Sequence, residues 1–291
     1  MRIVVASGKG GTGKTTVATS LALVAAEQNS VRFIDCDVEA PNAGIFLAPA
    51  FDTRVEVGIL IPRVDETTCT FCGKCAEVCQ FHAIAVIGKK TLVFPELCHG
   101  CGSCTLVCPE HAISEHLDVM GVLEGGFAAH QIDFAQGVMN IGEPMAVPII
   151  RELKKWAPAD HNETCGDTCR SIEIRDAPPG ASCPVVETIR GADFALLVTE
   201  PTPFGLHDLK QVVEITRELG IPAGVIVNRD GIGDNSIEAF CIERDLPILM
   251  RIPMDRGIAE GIAQGRPLVE TRPELGPVLR EMLDQIIQHA V

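Results

Sequence analysis

The run Gly8-Lys9-Gly10-Gly11-Thr12-Gly13-Lys14-Thr15-Thr16 gathers the residue types that a polyphosphate needs. Gly8 and Gly13 stand at the spacing G-x-x-x-x-G-K-[ST], in which backbone N–H groups wrap phosphate oxygens. Glycine serves there because the backbone must come close and adopt conformations that a Cβ would forbid. Lys14 is placed to reach the β- and γ-phosphates and the Thr15 hydroxyl to hold magnesium, so MgATP is the expected ligand. A second lysine, Lys9, lies inside the loop. Asp35-Cys36-Asp37 closes a short apolar run, residues 31–34. That puts carboxylates at a strand end, in the crevice where parallel sheets bind ligands.

The other chemistry is that of sulfur. The sequence holds 13 cysteines. Without a secretion signal, such a number points to metal ligation in a reducing, cytoplasmic setting and not to disulfides. Cys69, Cys72, Cys75 and Cys79 form one C-x2-C-x2-C-x3-C run, and Cys98, Cys101, Cys104 and Cys108 repeat it. The doubled run resembles the signature of bacterial two-cluster ferredoxins, where the fourth cysteine of each run serves the other cluster. The resemblance assigns Cys69, Cys72, Cys75 and Cys108 to one 4Fe–4S cluster. It assigns Cys98, Cys101, Cys104 and Cys79 to the other. Zinc is the rival, but its sites pair C-x2-C units across longer gaps, with four ligands per metal. Gln80 stands where a proline often follows the fourth cysteine. His82, His99 and His111 read as polar rim residues, since eight thiolates already satisfy two cubanes.

These residues need a frame. Residues 3–6 form an apolar strand that feeds the phosphate loop, and residues 17–27 form a helical run after it. Further strands are expected at 171–175, which is charged at Glu173 and Arg175, and, as apolar runs, at 194–198, 223–227 and 248–252, with a helix starting near His207. Strands alternating with helical runs predict an α/β fold, a parallel sheet covered on both faces. From about Arg54 to Glu115 that pattern lapses into the cysteine-rich stretch, with a hairpin at 84–94 turning at Gly88-Lys89-Lys90. The division expected is residues 1–58 and 117–291 for the nucleotide-binding frame and 59–116 for an inserted α+β ferredoxin-type domain.

Composition removes other classes. A hydrophobic content of 46% over 291 residues supports a sizeable core. The net charge of −15 argues against sequence-independent nucleic-acid binding, which needs a basic surface. No apolar run reaches the roughly 18 residues of a membrane span, and the N-terminal strand leads straight into the loop, unlike a signal peptide. Residues 277–291 place Val278, Leu279, Met282, Leu283, Ile286 and Ile287 on one helical face. The opposite face carries Glu281, Asp284 and Arg280. Core packing, not membrane attachment, is the expectation there.

The loop K-G-G-x-G-K-[ST]-T, with its extra Lys9, resembles the deviant Walker A loop of the MinD/ParA/nitrogenase-iron-protein class of ATPases. Asp35-Cys36-Asp37 with Pro41-Asn42 fits that class's D-x-D-x-x-x-P-N, and Asp176-Ala177-Pro178-Pro179-Gly180 is similar to its switch II. The resemblance implies an ATP-hydrolysing homodimer in which Lys9 reaches the partner's nucleotide and Asp37 orients the attacking water. It puts Asp35 near the magnesium shell and Asp176 on magnesium through a water. It also implies that Gly180 senses the γ-phosphate through its N–H and that Asn228, followed by Arg229, recognises adenine. Cys183 lies seven residues past Asp176, as does a cluster ligand in the nitrogenase iron protein. It is a candidate ligand for a metal or cluster bridging two subunits, a buried structural thiol being the alternative. Cys165 and Cys169 precede the strand at 171–175, which at about 3.3 Å per residue puts Cys169 roughly 20 Å from Asp176. A metal site at another interface, a redox pair and idle thiols all remain open for them. Cys36 and Cys241 read as packing residues. The function implied is electron transfer through two 4Fe–4S clusters coupled to nucleotide state, with a redox partner protein. The alternatives are an ATP-dependent cluster or metal-cofactor carrier, with an acceptor protein, and a MinD/ParA-like positioning switch.

Overall fold

The computed structural model describes residues 1–156, 171–231 and 233–289. The elements follow in order. First come β1 (Arg2–Ala6), α1 (Lys14–Ala26), β2 (Ser30–Asp35), α2 (Gly44–Leu47) and β3 (Ala50–Val64). Next are α3 (Lys74–Val78), β4 (Ile84–Ile87), β5 (Lys90–Val93), α4 (Ser103–Leu106) and β6 (Ile113–Phe127). Then follow β7 (Asp133–Met139), α5 (Val147–Lys155), β8 (Ser171–Asp176), α6 (Cys183–Ile189), β9 (Phe194–Thr199) and α7 (Pro203–Glu218). The chain ends with β10 (Ala223–Asp230), α8 (Ser236–Glu243), β11 (Ile248–Pro253), α9 (Arg256–Ala263), α10 (Leu268–Thr271) and α11 (Leu275–His289).

Two compact units are formed. One comprises Met1–Val55, Leu123–Val138 and Ile150–Val291, and the other Glu56–Val122 and Met139–Ile149. The strand order is β11-β10-β9-β1-β8-β2-β7-β6-β3. Every pair from β11 to β7 is parallel. In the first unit side chains alternate across the sheet as a twofold strand period requires. Ile3 and Val5 point into one core layer with α1 and the Leu279, Met282, Leu283, Ile286 and Ile287 side of α11. Val4 and Ala6 point into the other, with Val185 of α6, Val212 and Val213 of α7 and Phe240 of α8. Because α1 is enclosed by the sheet on one side and α11 on the other, residues Lys14 to Ala25 are all buried. Over that stretch the helix turns no face to solvent, and its polar residues Lys14, Thr15, Thr16, Thr19 and Ser20 are buried with the rest.

Several expected boundaries move. α1 starts at Lys14, directly after Gly13 in the left-handed region (φ 89°), so the phosphate lysine is itself helical. α7 starts at Pro203 and not near His207, because Thr202 caps it by accepting from Gly205 N. The hairpin β4–β5 turns on Gly88-Lys89, and Lys90 already pairs with Ile87. In α11 the apolar face is narrower than expected, since Val278 is 41% exposed. Strands β3, β6 and β7 have no counterpart in the sequence reading. Among the described residues, no helix is long and apolar enough to cross a membrane.

Candidate functional site

The nucleotide-type residues meet at the carboxyl ends of β1, β8 and β2, which are adjacent in the sheet. Val5 pairs with Asp176 and Asp35 also pairs with Asp176, so the three chain segments leave the sheet at one level. A cavity of about 660 Å³ opens there, within the size range of ligand sites. It is lined by Gly10, Gly11, Gly13, Lys14, Thr15, Thr16, Asp37, Asn228 and Arg229, among others. An apolar wall that the sequence reading did not anticipate completes it: Ile45 and Phe46 from α2, Met254, and Ile258 and Ile262 from α9. Gly8 lies behind the loop, where a Cβ would stand 2.3 Å from the Asp208 carbonyl oxygen. Gly13 is needed for a second reason besides its φ, since a Cβ there would meet Asn228 Nδ2 at 2.4 Å. Thr12 is buried, and its hydroxyl has no hydrogen-bond partner among the described residues.

The carboxylates differ in what they are free to do. Asp176 is fully buried, and among the described residues neither of its oxygens has a partner within hydrogen-bonding distance, although Lys14 and the Thr15 hydroxyl lie close by. Lys14 Nζ stands 3.7 Å from Asp176 Oδ1. Burial pushes the Asp176 carboxyl up, with the Lys14 charge opposing. An orphaned buried carboxylate beside the Thr15 hydroxyl fits a hard cation such as magnesium, which takes oxygen ligands and keeps several waters. Asp35 is different. Its Oδ1 accepts from Asp37 N at 3.1 Å, and its Oδ2 accepts from Asn42 N and Ala43 N at 3.0 Å each. It braces the loop that presents Asp37, with its oxygens committed to backbone instead of open to a cation. Burial first, and the Asp176 charge second, raise its pKa to about 7. Asp37 lines the cavity, and burial raises it while Lys14 lowers it.

Two residues expected to touch nucleotide are engaged elsewhere. The Gly180 N–H donates to Ser7 O at 3.0 Å, so a γ-phosphate would have to displace that bond. Asn228 Nδ2 donates to Thr12 O at 2.7 Å, and its Oδ1 accepts from Arg229 N at 2.9 Å. Arg229 Nη2 donates to Gly11 O at 3.0 Å. The end of β10 thus fastens the phosphate loop. Lys9 forms an ion pair with Glu200, whose other oxygen takes Arg229 Nη1 at 2.8 Å. Glu200 was missed in the sequence, although an acidic residue closing a fully apolar strand was the same signal that singled out Asp35.

The cysteine runs lie in the second unit and separate into two cavities. Cys69, Cys72, Cys75 and Cys108 line one, and Cys79, Cys98, Cys101 and Cys104 line the other. The two runs have matching backbone. Phe71 N donates to Cys69 Sγ and Gly100 N to Cys98 Sγ, both at 3.4 Å. Ala83 N donates to Cys79 Sγ and Ala112 N to Cys108 Sγ, both at 3.3 Å. Phe71 accepts a positive φ of 58° where its counterpart is Gly100. At Gly100 a Cβ would meet Ile59 Cβ at 3.0 Å. His99 stacks on Phe81, ring centroids 3.8 Å apart, and both line the second cavity. Among the described residues, no group of three or more His, Cys, Asp or Glu is drawn together as for a single metal ion. Cys183 is exposed at the start of α6. Cys36 and Cys241 are buried, and burial pushes their thiols up to about 12 and about 11, as inert packing residues. Cys165 and Cys169 lie outside the described residues.

The family profile described as the CobQ/CobB/MinD/ParA nucleotide binding domain matches residues 3–268. The chain belongs to that family. It is a P-loop ATPase of MinD/ParA type, with the mostly parallel α/β sheet of that group. The uncharacterized protein MJ0579 of Methanocaldococcus jannaschii is 30% identical over 99% of this chain and 98% of its own length. An iron-sulfur cluster carrier protein of Synechocystis sp. is 23% identical over 94% of this chain and 65% of its own length. In fold, the chain is similar to the septum site-determining protein MinD of Pyrococcus horikoshii, solved with Mg-ADP. The TM-score is 0.57 at 21% identity, covering 100% of this chain and 98% of that one.

Proposed function

We propose that this ATPase is a nucleotide-dependent homodimer whose inserted segment, residues 59–116, carries two 4Fe–4S clusters. Its nucleotide state controls electron transfer through them to a partner protein. The observation that carries the reading is the partition of eight cysteines into two cavities, each mixing both runs. The N–H···S bonds support it further, because such bonds stabilise thiolate charge and tune cluster potentials. Cys69, Cys72, Cys75 and Cys108 would hold one cluster and Cys79, Cys98, Cys101 and Cys104 the other. When bound, these groups supply one-electron redox chemistry.

In the ATPase cycle, Gly10, Gly11, Gly13 and Lys14 bind the phosphates, and Thr15, with Asp176 acting through a water, would hold the magnesium. Phosphoryl transfer is mostly positioning and charge stabilisation. Asp37 orients water and accepts its proton as the water oxygen bonds to the γ-phosphorus and the bond to ADP breaks. Its raised pKa suits that exchange better than an ordinary carboxylate would. Asn228 lines the same cavity and would contact adenine only by sharing or giving up its bonds to Thr12 O and Arg229 N, and Lys9 completes the partner's site. An anaerobic EPR redox titration with and without a MgATP analogue tests the coupling. The expected result is a potential shift of at least about 59 mV, a tenfold change for a one-electron couple. Identical potentials in both states would remove equilibrium coupling.

The second reading is a cluster carrier, favoured by the similarity to an iron-sulfur cluster carrier over 94% of this chain. There the labile metal would sit at the exposed Cys183, shared between subunits. Iron well above eight per chain, with the excess lost to chelator and absent from Cys183→Ala, selects it.

A further inference from the structure

Glu200 follows the last residue of β9, and its side chain is only 7% exposed. One of its oxygens takes the Lys9 ammonium and the other the Arg229 guanidinium, at 2.8 Å. Arg229 in turn holds Gly11 O at 3.0 Å. A single carboxylate thus ties the extra lysine of the phosphate loop to the end of β10. The turn that carries Glu200 has little room to follow a moving partner. Thr202 N donates to Glu200 O at 2.7 Å, and Thr199 Oγ1 donates to Gly205 O at 3.0 Å. A Cβ on Gly205 would lie 2.1 Å from Glu200 O. Lys9 is the looser member, with 31% of its side chain exposed at the end of a long flexible stem. Burial pushes the Glu200 carboxyl up, yet Lys9, Arg229 and the Thr202 hydroxyl outweigh it and hold it below the usual glutamate range. It is therefore charged and paired at neutral pH.

We propose that Glu200 is a positioning residue that clamps Lys9 inside its own subunit, so that Lys9 reaches a second copy's nucleotide only after this ion pair opens. The inference rests on the reading of the chain as an ATP-dependent homodimer that uses Lys9 across the interface. A lysine cannot occupy both places, so self-association is weakened by the fraction of chains in which Lys9 is held back. Arg229 makes the exchange feasible. When Lys9 leaves, Glu200 keeps one cationic partner, and no buried charge is left alone. The clamp thereby sets the threshold at which ATP-bound chains pair.

The test uses Glu200→Gln, which keeps the shape and removes the charge. Lys9 is first labelled with an amine-acylating reagent in the nucleotide-free full-length protein and quantified by peptide mass spectrometry. Acylation at Lys9 is expected to be roughly three- to tenfold faster in the variant, following the larger free fraction. Self-association is then followed by sedimentation with MgATPγS, and half-association is expected at a protein concentration lower by a similar factor. In a Lys9→Ala background the substitution at Glu200 should have no such effect, a result that a general loosening of the fold would not give. Unchanged Lys9 acylation, or the same association shift in the Lys9→Ala background, overturns the clamp. Faster acylation with no association of either protein leaves the clamp standing and removes the dimer reading. Should Glu200→Gln fail to fold, Glu200→Asp, which retracts the carboxylate by one methylene, is labelled in its place. Faster acylation than wild type supports the clamp, and equal acylation overturns it.

Discussion

Asp35 and Asp176 stand opposite each other across β2 and β8, both fully buried, yet Asp35 accepts three backbone hydrogen bonds while Asp176, among the described residues, has no partner within hydrogen-bonding distance. The difference divides structure from chemistry. Asp35 fixes the loop; Asp176 and Asp37 are left for ligand and water. Asp37→Asn should therefore lower the ATP turnover rate by about 10²–10⁴-fold, the usual loss on removing a proton acceptor. Nucleotide affinity, measured by equilibrium binding, should stay within about threefold, because that substitution leaves the phosphate contacts intact. The same pair predicts a pH dependence. Asp35 is raised to about 7 by burial and by Asp176, so the folded chain holds that proton more tightly than the unfolded chain does. Its contribution to stability is complete below about pH 4 and is lost as the pH rises through about 7. The unfolding midpoint of the nucleotide-free protein should fall over that window. Asp176→Asn, which removes the neighbouring charge, should flatten the fall; a wild-type profile already flat would remove the raised Asp35.

At the scale of elements, the helices show how far sequence alone carries. The heptad-like spacing in α11 places Leu279, Met282, Leu283, Ile286 and Ile287 correctly in the core. Val278 belongs to the same apolar arc on paper but faces solvent, because the angular width of the buried stripe is set by α1 and the sheet, not by the helix itself. Leu279→Ala should cost about 2–5 kcal/mol as a cavity-forming change. Val278→Ser should stay within about 0.5 kcal/mol, as an exposed substitution does. Chemical denaturation of both variants checks the pair, and equal losses would return Val278 to the core. The same logic explains other limits. The phosphate loop, the D-x-D and the D-A-P-P-G stretch were legible because each is a local pattern with its own backbone demand. The start of α7 at Pro203, four residues before His207, is set by the Thr202-Pro203 cap. Strands β3 and β6 carry mixed sequences, β3 largely exposed and β6 exposed only over residues 114–117, and their pairing joins segments far apart in the chain, so no local period announces them. Glu200 was unreadable as a partner for Lys9 for that reason too: the two lie 191 residues apart.

At the scale of the molecule, the two sets of candidate site residues occupy different compact units, the glycine-rich loop with its cavity in one and all eight cysteines of the two C-x2-C-x2-C-x3-C runs in the other. Each unit carries its own set of site residues, so damage to one chemistry should spare the other. Lys14→Ala should abolish MgATP binding and leave iron content unchanged. The decisive prediction concerns how the cysteines share metal. Cys108 lines a cavity with Cys69, Cys72 and Cys75, not with the nearer members of its own run, and Cys79 crosses in the opposite sense. If each cavity holds one cluster, Cys79→Ala and Cys101→Ala damage the same cluster. The double variant should then lose no more iron than either single one, roughly four atoms per chain for a cubane. Cys108→Ala with Cys101→Ala should strip both clusters, even though these residues are neighbours in sequence. Were each run to hold its own cluster, the two double variants would exchange phenotypes. Iron analysis after anaerobic purification distinguishes the arrangements without any assay of activity, because it tests which thiols act together.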